Sequence, residues 1–458
     1  MIFERIRSEG LAHNSYFIAS DGHAAVIDPR RDCRVYADLA RRYEASITHI
    51  FETHRNEDYV IGSVELAGLT GAAVHHGHGL TWRYGRTVHG GQLFDIGRLQ
   101  LTALSTPGHT DESMSYVVAD LATGPAQVMA FTGDTLFVGS VGRTDLYGPG
   151  EAPRLAAALY DSIFGNLLQL GDGVIICPAH GGGSVCGSHI AERELSTIGI
   201  ERGQNAALRA KDSAEFVRQR LAERPERPPY FRQMEKLNLE GAPPLGRGEP
   251  ALPPALTLAQ FRAALDNGAV LIDTREPWGF GTHIKGAYSI WTSGLPEFAG
   301  WFLPYDRDIV LLLERAEDLL TAATNLARLG YDRVVGYLQG GIEDWYGAGL
   351  AIERLPVMSV HELKAKLDHG EDILVLDVRE REEWDSGHVP AAQHLFLGHL
   401  QERLAEVPAG RPVATFCSIG RRSGLAGSIL LRSGRRDVSN VLGSMTAWRA
   451  AGYPAVRD

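Results

Sequence analysis

The chain has 458 residues, of which 44% are hydrophobic and 22% are charged, and its formal net charge is −11. This length suggests about three domains of roughly 100–200 residues each, and the composition is ordinary for globular proteins. The acidic balance argues against a nucleic-acid partner. No run of about eighteen apolar residues occurs, so no membrane span is predicted, and the first residues lack the apolar core of a signal peptide.

The four cysteines are widely spaced and form no Cys-x-x-Cys pattern that would indicate a zinc site. Unpaired cysteines of this kind are typical of a reduced compartment. We therefore expect a cytoplasmic protein whose cysteines are free; they are Cys33, Cys177, Cys186 and Cys417.

Residues 1–240 read as strands that alternate with helices. Apolar runs at 16–19 and 24–28 flank Ser20-Asp21-Gly22, which predicts a hairpin. The period of residues 35–43 predicts a helix. A late apolar run at 174–177 predicts a buried strand that leads to His180.

Three of the predicted strands end in a residue that can bind a metal. The run 47–51 leads to His54, the run 99–104 leads through Pro-Gly to His109, and the run 128–131 leads through Thr-Gly to Asp134. Strand ends are rigid and can converge at one edge of a sheet. Two imidazoles and one carboxylate with open positions form the facial triad that suits non-haem Fe(II) and leaves room for O2 and substrate.

These stretches resemble the metallo-β-lactamase superfamily. Its pattern is His-x-His-x-Asp-His, then Pro-Gly-His, Gly-Asp and Pro-x-His-Gly, and this chain supplies His54, Asp58, His109, Asp134 and His180 at matching positions. The resemblance covers the first half of the chain and implies an αββα sandwich in which two sheets are flanked by helices.

The chain departs from that pattern at Asn56 and Tyr59, where the superfamily has histidines that help to complete a two-metal site. This counts against a binuclear zinc hydrolase of the glyoxalase II or lactamase type. The remaining set matches the mononuclear iron site of the persulfide dioxygenases, and the stretches 132–137 and 142–145 also resemble that branch. The resemblance therefore implies one Fe(II) per chain, with zinc as the alternative metal.

Other residues near this motif have two interpretations each. With one metal, Asp58 and His180 are expected to hydrogen-bond the ligands. Arg143 can bind a carboxylate or phosphate of the substrate through its guanidinium fork, or it can form a structural ion pair. Cys186, in the glycine-rich loop 181–187, can meet a sulfur substrate or serve as a buried structural thiol.

Residues 241–255 are dense in proline and glycine and predict an extended linker. Beyond it the sequence repeats, because Asp-x-Arg-Glu at 273–276 recurs at 377–380, an offset of 104. The elements His-Ile/Val-x-x-Ala and Gly-Gly/Ser-x-x-x-Trp recur as well. They resemble rhodanese domains, which implies two small α/β domains with parallel sheets, at 256–353 and 358–458.

The two repeats differ where rhodanese chemistry occurs. In the second, a strand at 413–416 leads to Cys417, whose loop opens a helix and carries Arg422. The helix N-terminus and the guanidinium both favour the thiolate, and the resemblance implies a persulfide on Cys417. In the first repeat Glu314 and Leu319 stand at these positions, so we expect that domain to be inactive.

The whole architecture resembles the multidomain persulfide dioxygenase–rhodanese fusions. That resemblance implies oxidation of a low-molecular-weight persulfide by O2 to sulfite, coupled to sulfur transfer that gives or uses thiosulfate, and so sulfide detoxification by a homo-oligomer. Two alternatives stay open at this point. One is a zinc-dependent thioester hydrolase with a sulfurtransferase tail, and the other is a non-catalytic persulfide carrier or sensor.

Overall fold

The computed structural model describes residues 1–187, 189–223 and 225–457. The chain forms two compact units. One unit comprises Met1–Ala251 with Ala327–Gly330, and the other comprises Leu252–Leu326 with Tyr331–Asp458.

The first unit contains two six-stranded sheets, and in each the strands lie in chain order from one edge to the other. The first sheet consists of β1 (Ile2–Ser8), β2 (His13–Ser20), β3 (His23–Ile27), β4 (Ser46–Phe51), β5 (Ala73–Gly77) and β6 (Arg86–Val88). The second consists of β7 (Leu93–Ile96), β8 (Leu99–Ser105), β9 (Met114–Asp120), β10 (Gln127–Gly133), β11 (Ile175–Pro178) and β12 (Ser196–Thr197).

The strand pairing in the first sheet includes the hairpin that the sequence predicts. Strands β2 and β3 are antiparallel with Ser20 opposite His23, whereas β3, β4 and β5 run parallel. In the second sheet β10 pairs in parallel with β11 and antiparallel with β9. The predicted hairpin, the three strands that lead to His54, His109 and Asp134, and the strand that leads to His180 are therefore confirmed.

Helices cover the outer faces of both sheets. They are α1 (Arg34–Arg42), α2 (Ser63–Thr70), α3 (Ala152–Asp161), α4 (Ile198–Gln204), α5 (Ser213–Ala222) and α6 (Phe231–Glu240). One apolar cluster joins Ile27 and Phe51 of the first sheet to Leu101 and Phe131 of the second, so the sheets pack face to face. Separate clusters lie under α1 and α2 and under α3 and α5. This is the predicted αββα sandwich.

The second unit contains two five-stranded sheets of the same topology. Their orders are β13-β18-β17-β14-β16 and β20-β24-β23-β21-β22, and the strands within each sheet pair in parallel. The strands of the first repeat are β13 (Ala255–Leu256), β14 (Val270–Asp273), β15 (Thr282–His283), β16 (Tyr288–Ser289), β17 (Ile309–Leu312), β18 (Val334–Leu338) and β19 (Glu353–Arg354). Those of the second are β20 (Val357–Met358), β21 (Leu374–Asp377), β22 (Gln393–His394), β23 (Val413–Phe416) and β24 (Val438–Val441).

The helices of the second unit flank these sheets, as the repeat predicts. They are α7 (Leu258–Asp266), α8 (Leu295–Phe302), α9 (Leu319–Arg328), α10 (Gly341–Gly347), α11 (Val360–Asp368), α12 (Arg381–Asp385), α13 (Leu397–Leu400), α14 (Arg421–Arg432) and α15 (Ser444–Ala450). The repeated Asp-x-Arg motif has the same role in both halves. Arg275 donates from Nε to Asp273 at 2.9 Å, and Arg379 donates from Nε to Asp377 at 2.9 Å, in both cases buried.

The proline- and glycine-rich segment before the repeats has no regular secondary structure, but its middle is held against the first unit. The Glu65 carboxylate accepts the backbone N–H groups of Leu245 and Gly248 at 2.7 Å each, and the Gly248 carbonyl accepts from Arg34 N. Within the described part of the chain, every helix is too short or too polar to cross a bilayer.

Candidate functional site

His54 lies just beyond the end of β4, and its ring is oriented by a chain of hydrogen bonds. The Thr53 hydroxyl and backbone N–H both donate to the Asp28 carboxylate, at 2.7 Å each. Because the Thr53 hydroxyl donates its hydrogen to Asp28, the Thr53 oxygen accepts from His54 Nδ1 at 2.9 Å. This fixes the tautomer that carries a hydrogen on Nδ1 and leaves the lone pair on Nε2 for a metal.

His109 follows β8 through a turn that only glycine can make. Gly108 has φ +143°, and a Cβ there would lie 2.4 Å from the Leu159 backbone. His109 Nδ1 lies 2.9 Å from the Arg143 carbonyl, to which it donates, so in the neutral ring the lone pair is on Nε2. Burial opposes protonation of this ring, but the Glu57 carboxylate raises its pKa to about 9, so a proton competes with a metal ion for Nε2. The two imidazoles therefore present the same type of nitrogen toward one point.

Asp134 follows β10 and faces both histidines. Gly133 before it has φ +52° and packs against Thr53, where a Cβ would approach to 2.7 Å. Asp134 Oδ2 lies 3.7 Å from His54 Nε2 and 3.5 Å from His109 Nε2. These are separations that a shared metal ion can bridge.

His180 and Asp58 support the carboxylate from the other side. His180 Nδ1 lies 2.8 Å from Asp134 Oδ1, and its Nε2 lies 3.0 Å from Asp58 Oδ2. Burial works against the charged form of Asp134, yet His180 and the other histidines hold the pKa of that carboxyl below its usual value. The arrangement is the one expected for hydrogen-bond partners of a ligand.

The residues present fit a divalent metal ion. His54 and His109 are 1% or less exposed, and in the described part of the chain His54 Nε2 has no hydrogen-bond partner and His109 Nε2 has only the Glu57 carboxylate. Buried polar atoms are ordinarily satisfied, so two imidazole nitrogens that face buried carboxylates, one of them without a hydrogen bond, indicate a cation site. Burial lowers the pKa of His54 to about 4, which keeps it neutral and able to coordinate.

The sequence analysis did not include Glu57 in this site. Its Oε1 lies 2.9 Å from His109 Nε2, and Oε2 lies 3.9 Å from His54 Nε2. The signal was present, since Glu57 is three residues from His54 in the same loop, but the superfamily pattern gives that position no role. Asn56 Nδ2 donates to the His54 carbonyl at 3.2 Å, and its Oδ1 is buried without a hydrogen-bond partner among the described residues.

Tyr59 and Cys186 lie near His180, beside the cluster of proposed ligands. The Tyr59 ring packs on His13 at a centroid distance of 3.9 Å. Cys186 is fully buried, with Sγ within 4.8 Å of ligand atoms of Asp58 and His180, and burial raises the pKa of its thiol well above the usual range. It is therefore a buried, protonated thiol at neutral pH.

Arg143 is placed as a structural residue. Its Nε and one terminal nitrogen each donate to Asp145 at 2.7 Å, and the other terminal nitrogen donates to the carbonyls of Val185 and Glu226 at 3.0 Å. The side chain is 2% exposed. The geometry favours the ion-pair alternative over substrate binding, because the guanidinium is already used within the protein.

Cys417 sits at the end of β23, in a loop that opens α14. The Gly420 backbone N–H donates to Cys417 Sγ at 3.1 Å, and Ser423 Oγ lies 3.4 Å from the sulfur. Gly420 has φ +107° and precedes the first helical residue, so its N–H points into the loop. The sulfur therefore faces a helix N-terminus, which stabilises a thiolate.

Arg422 reaches this loop but is paired. It donates to both oxygens of Glu383 at 2.6 and 2.8 Å and to Ser418 Oγ at 2.8 Å. Burial works against ionisation of Glu383, yet hydrogen bonds and charge from Arg422 hold the pKa of that carboxyl at about 2. Sequence reasoning missed Glu383 because it lies 39 residues from Arg422.

The first repeat contributes a contact to the second. Glu276 accepts two hydrogen bonds of 3.0 Å from Arg421, the first residue of α14. Gly424, one turn on, lies so close to Pro277 that a Cβ would approach to 2.7 Å. In the first repeat, Leu312 pairs with Asp273 as Phe416 pairs with Asp377. Buried Leu313 therefore occupies the position of Cys417, and exposed Glu314, which the sequence analysis placed there, is the next residue.

Comparison with protein families agrees with this division. The model of the metallo-beta-lactamase superfamily matches residues 9–180. The model of the rhodanese-like domain matches residues 257–348 and 359–451.

Three curated relatives cover parts of the chain. A putative sulfur carrier protein of Bacillus subtilis is 34% identical over 94 residues, 20% of this chain and 51% of that protein. A mitochondrial hydroxyacylglutathione hydrolase of Saccharomyces cerevisiae is 30% identical over 144 residues, 29% of this chain and 50% of that protein. A sulfurtransferase of Allochromatium vinosum is 34% identical over 94 residues, 20% of this chain and 88% of that protein. The chain thus spans about half the length of the first two.

Among solved structures, a metallo-beta-lactamase from Staphylococcus aureus subsp. aureus COL matches much of the chain. The identity is 29% and the TM-score 0.66, with 74% of this chain and 98% of that chain covered.

Proposed function

Because the chain belongs to the metallo-β-lactamase superfamily through its first domain and to the rhodanese family through the two domains that follow, we propose that it is an enzyme of sulfur metabolism with two chemical sites. The first oxidises a low-molecular-weight thiol persulfide to sulfite, and the second transfers sulfane sulfur at Cys417. The proposed overall oxidation consumes one persulfide, one O2 and one water, and it yields the thiol, sulfite and two protons.

The observation that carries the first half is the donor set at the strand ends. His54, His109 and Asp134 converge, both histidines direct Nε2 toward the carboxylate, and His54 Nε2 has no hydrogen-bond partner in the part of the chain that the structure describes. A mononuclear Fe(II) held by these residues would supply open positions at which O2 and a sulfur substrate are activated. Iron rather than zinc is part of the proposal.

The residues around this donor set orient it and keep it dry. Asp28 and Thr53 orient His54, the Arg143 carbonyl orients His109, and His180 holds Asp134. All three proposed ligands are at most 2% exposed, so bulk water is excluded from the reacting centre. We expect the persulfide to be the only part of the substrate that penetrates to this depth.

The second half of the proposal is sulfur transfer at Cys417. The Cys417 thiolate attacks the outer sulfur of a persulfide, the sulfur–sulfur bond of the donor breaks, and the donor leaves as its thiolate. The new persulfide on Cys417 then gives its outer sulfur to sulfite, which yields thiosulfate and regenerates the thiolate. The N–H of Gly420 and the N-terminus of α14 stabilise the negative sulfur in both states. The reverse sequence would use thiosulfate.

The experiment pairs elemental analysis of anaerobically purified protein with O2 consumption on glutathione persulfide. About one iron per chain and O2 uptake that Asp134→Ala abolishes would support the proposal. Protein with no O2 uptake but with rhodanese activity would restrict the function to sulfur transfer at Cys417.

A second candidate is a zinc-dependent thioester hydrolase with a sulfurtransferase domain. The similarity to a hydroxyacylglutathione hydrolase favours it, whereas Asn56 and Tyr59, which replace two histidines of the binuclear pattern, count against it. Two zinc ions per chain and cleavage of an acyl-glutathione without O2 uptake would support the hydrolase. A non-catalytic carrier or sensor, in which Cys417 relays persulfide to a partner, would instead be supported if His54→Ala left the function of the protein intact.

A further inference from the structure

We infer that Glu57 is a fourth protein ligand of the metal held by His54, His109 and Asp134. This inference rests on the metal centre of the proposed function, but it does not depend on which reaction occurs there. A ligand set of two histidines and two carboxylates differs from the two-histidine, one-carboxylate set that the superfamily motif predicts.

The position of the Glu57 carboxylate is the first observation. Its two oxygens lie 2.9 Å from His109 Nε2 and 3.9 Å from His54 Nε2, and donor atoms of these three residues all lie within 4.8 Å of one another. The side chain is 1% exposed. A carboxylate is held here at the distance that separates neighbouring ligands of one ion.

The second observation is that the contact between Glu57 Oε1 and His109 Nε2 requires a proton or a cation between the two atoms. His109 donates from Nδ1 to the Arg143 carbonyl, so Nε2 of the neutral ring is an acceptor. Glu57 is also an acceptor, and in the described part of the chain its oxygens have no hydrogen-bond partner other than the His109 ring. Two acceptors 2.9 Å apart repel unless a proton or a cation lies between them. Because His54 Nε2 and Asp134 Oδ2 face the same point, a single metal ion satisfies all four groups.

The local backbone explains why Glu57 fills this role. Asn56 occupies a ligand position of the superfamily pattern. Its Nδ2 donates to the His54 carbonyl, and its backbone carbonyl accepts from Asn238 Nδ2 at 2.6 Å. These bonds hold the loop so that the next residue points into the cluster. The carboxylate thereby replaces the donor that the missing histidine would supply.

A fourth ligand has two consequences for the centre. Two carboxylates balance the charge of a divalent ion, whereas one leaves a net positive charge. Oxygen donors also shift the preference of the site toward Fe(II) and Mn(II) and away from zinc, since carboxylates suit the harder ions. Both consequences can be measured by metal binding alone.

The test compares full-length Glu57→Gln with wild type and with Glu112→Gln as a matched control. Glu112 is a second buried carboxylate of the same domain, and it accepts from Arg55 N at 3.0 Å outside the cluster. Fe(II) affinity is measured anaerobically by competition with a chelator. We expect Glu57→Gln to weaken binding at least about 10-fold, because loss of an outer hydrogen-bond partner already costs 10–100-fold. The control should stay within about 2-fold.

Co(II) provides a readout that is independent of activity. The intensity of its visible absorption depends on the number of ligands, so Glu57→Gln should change the Co(II) spectrum while Glu112→Gln leaves it unchanged. Glu57→Asp, which keeps the charge but withdraws the oxygens by one methylene, should also weaken Fe(II) binding and covers the case in which Glu57→Gln does not fold. If Glu57 served only a protonated His109, the variants would bind Fe(II) as tightly as wild type or more tightly, with an unchanged Co(II) spectrum. That outcome would overturn the inference.

These results are distinguishable from failure of the proposed reaction. Absence of O2 uptake by iron-loaded wild type would reject persulfide oxidation and leave the four-ligand inference to be decided by affinity and spectrum. Normal O2 uptake by wild type together with unchanged metal binding by Glu57→Gln would reject the inference and leave the reaction intact.

Discussion

Replacing Thr53 with valine should weaken metal binding even though Thr53 contributes no ligand. Valine has the shape of threonine but lacks the hydroxyl that donates to Asp28 and accepts from His54 Nδ1. The imidazole then loses the acceptor that fixes its tautomer, and a buried N–H is left without a partner. The expected losses are about 10–100-fold in Fe(II) affinity and about 1–3 kcal/mol in the free energy of unfolding.

The assay is chelator competition under anaerobic conditions, together with urea unfolding of the metal-free protein. Thr53→Ser is the matched control, since it keeps the hydroxyl and should restore affinity to within about 2-fold of wild type. If Thr53→Val bound Fe(II) as tightly as Thr53→Ser, the hydrogen-bond chain would not orient the ligand and the reasoning would be refuted.

Three further predictions concern the rhodanese domains. Cys417→Ser should abolish thiosulfate:thiol sulfur transfer and leave O2 uptake on glutathione persulfide unchanged; loss of both activities would contradict two separate sites. Glu276→Gln should slow sulfur transfer about 2–5-fold, because an exposed ion pair is worth up to about 1 kcal/mol; an unchanged rate would mean that the contact with Arg421 does not position the loop. Glu383→Gln should lower stability by about 1 kcal/mol at pH 7, after allowance for partial exposure. The pKa of Glu383 is about 2 in the folded protein and about 4.3 in the unfolded chain. The difference in unfolding free energy between variant and wild type should therefore be complete above about pH 4.3 and shrink as the pH falls toward 2. A difference that did not change with pH would exclude the ion pair as its source.

The fold was accessible from the sequence because its signals are local. Apolar runs that end in Gly-Asp or Pro-Gly-His fix both a strand and the point where it stops, and the 104-residue offset fixes the duplication. The shared sheet order of the two repeats confirms that reading. The homo-oligomer stays a prediction.

The parts of the site that sequence did not reveal depend on distant or unpatterned neighbours. Glu383 meets Arg422, and Glu276 meets Arg421 across 145 residues, so no spacing rule connects them. Arg143 could have been a substrate binder or an ion-pair partner, and only the position of Asp145 and two carbonyls distinguishes these roles. Glu57 was close in sequence, but a motif that assigns its position no function hid it.

The close contact between Pro277 and Gly424 restricts how the sequences of the two repeats can diverge during evolution. The surface of the first repeat that meets α14 is constrained by a neighbour that cannot accept even a methyl group at Gly424. The loop that stands in place of the catalytic loop exposes Glu314, one residue beyond the position of Cys417, and Glu314 carries no such restriction. Mutations should therefore accumulate freely at Glu314, whereas substitution of Glu276 or Pro277 would disturb the packing of α14 in the second repeat. A domain that has lost its nucleophile can in this way stay under selection for the activity of its copy.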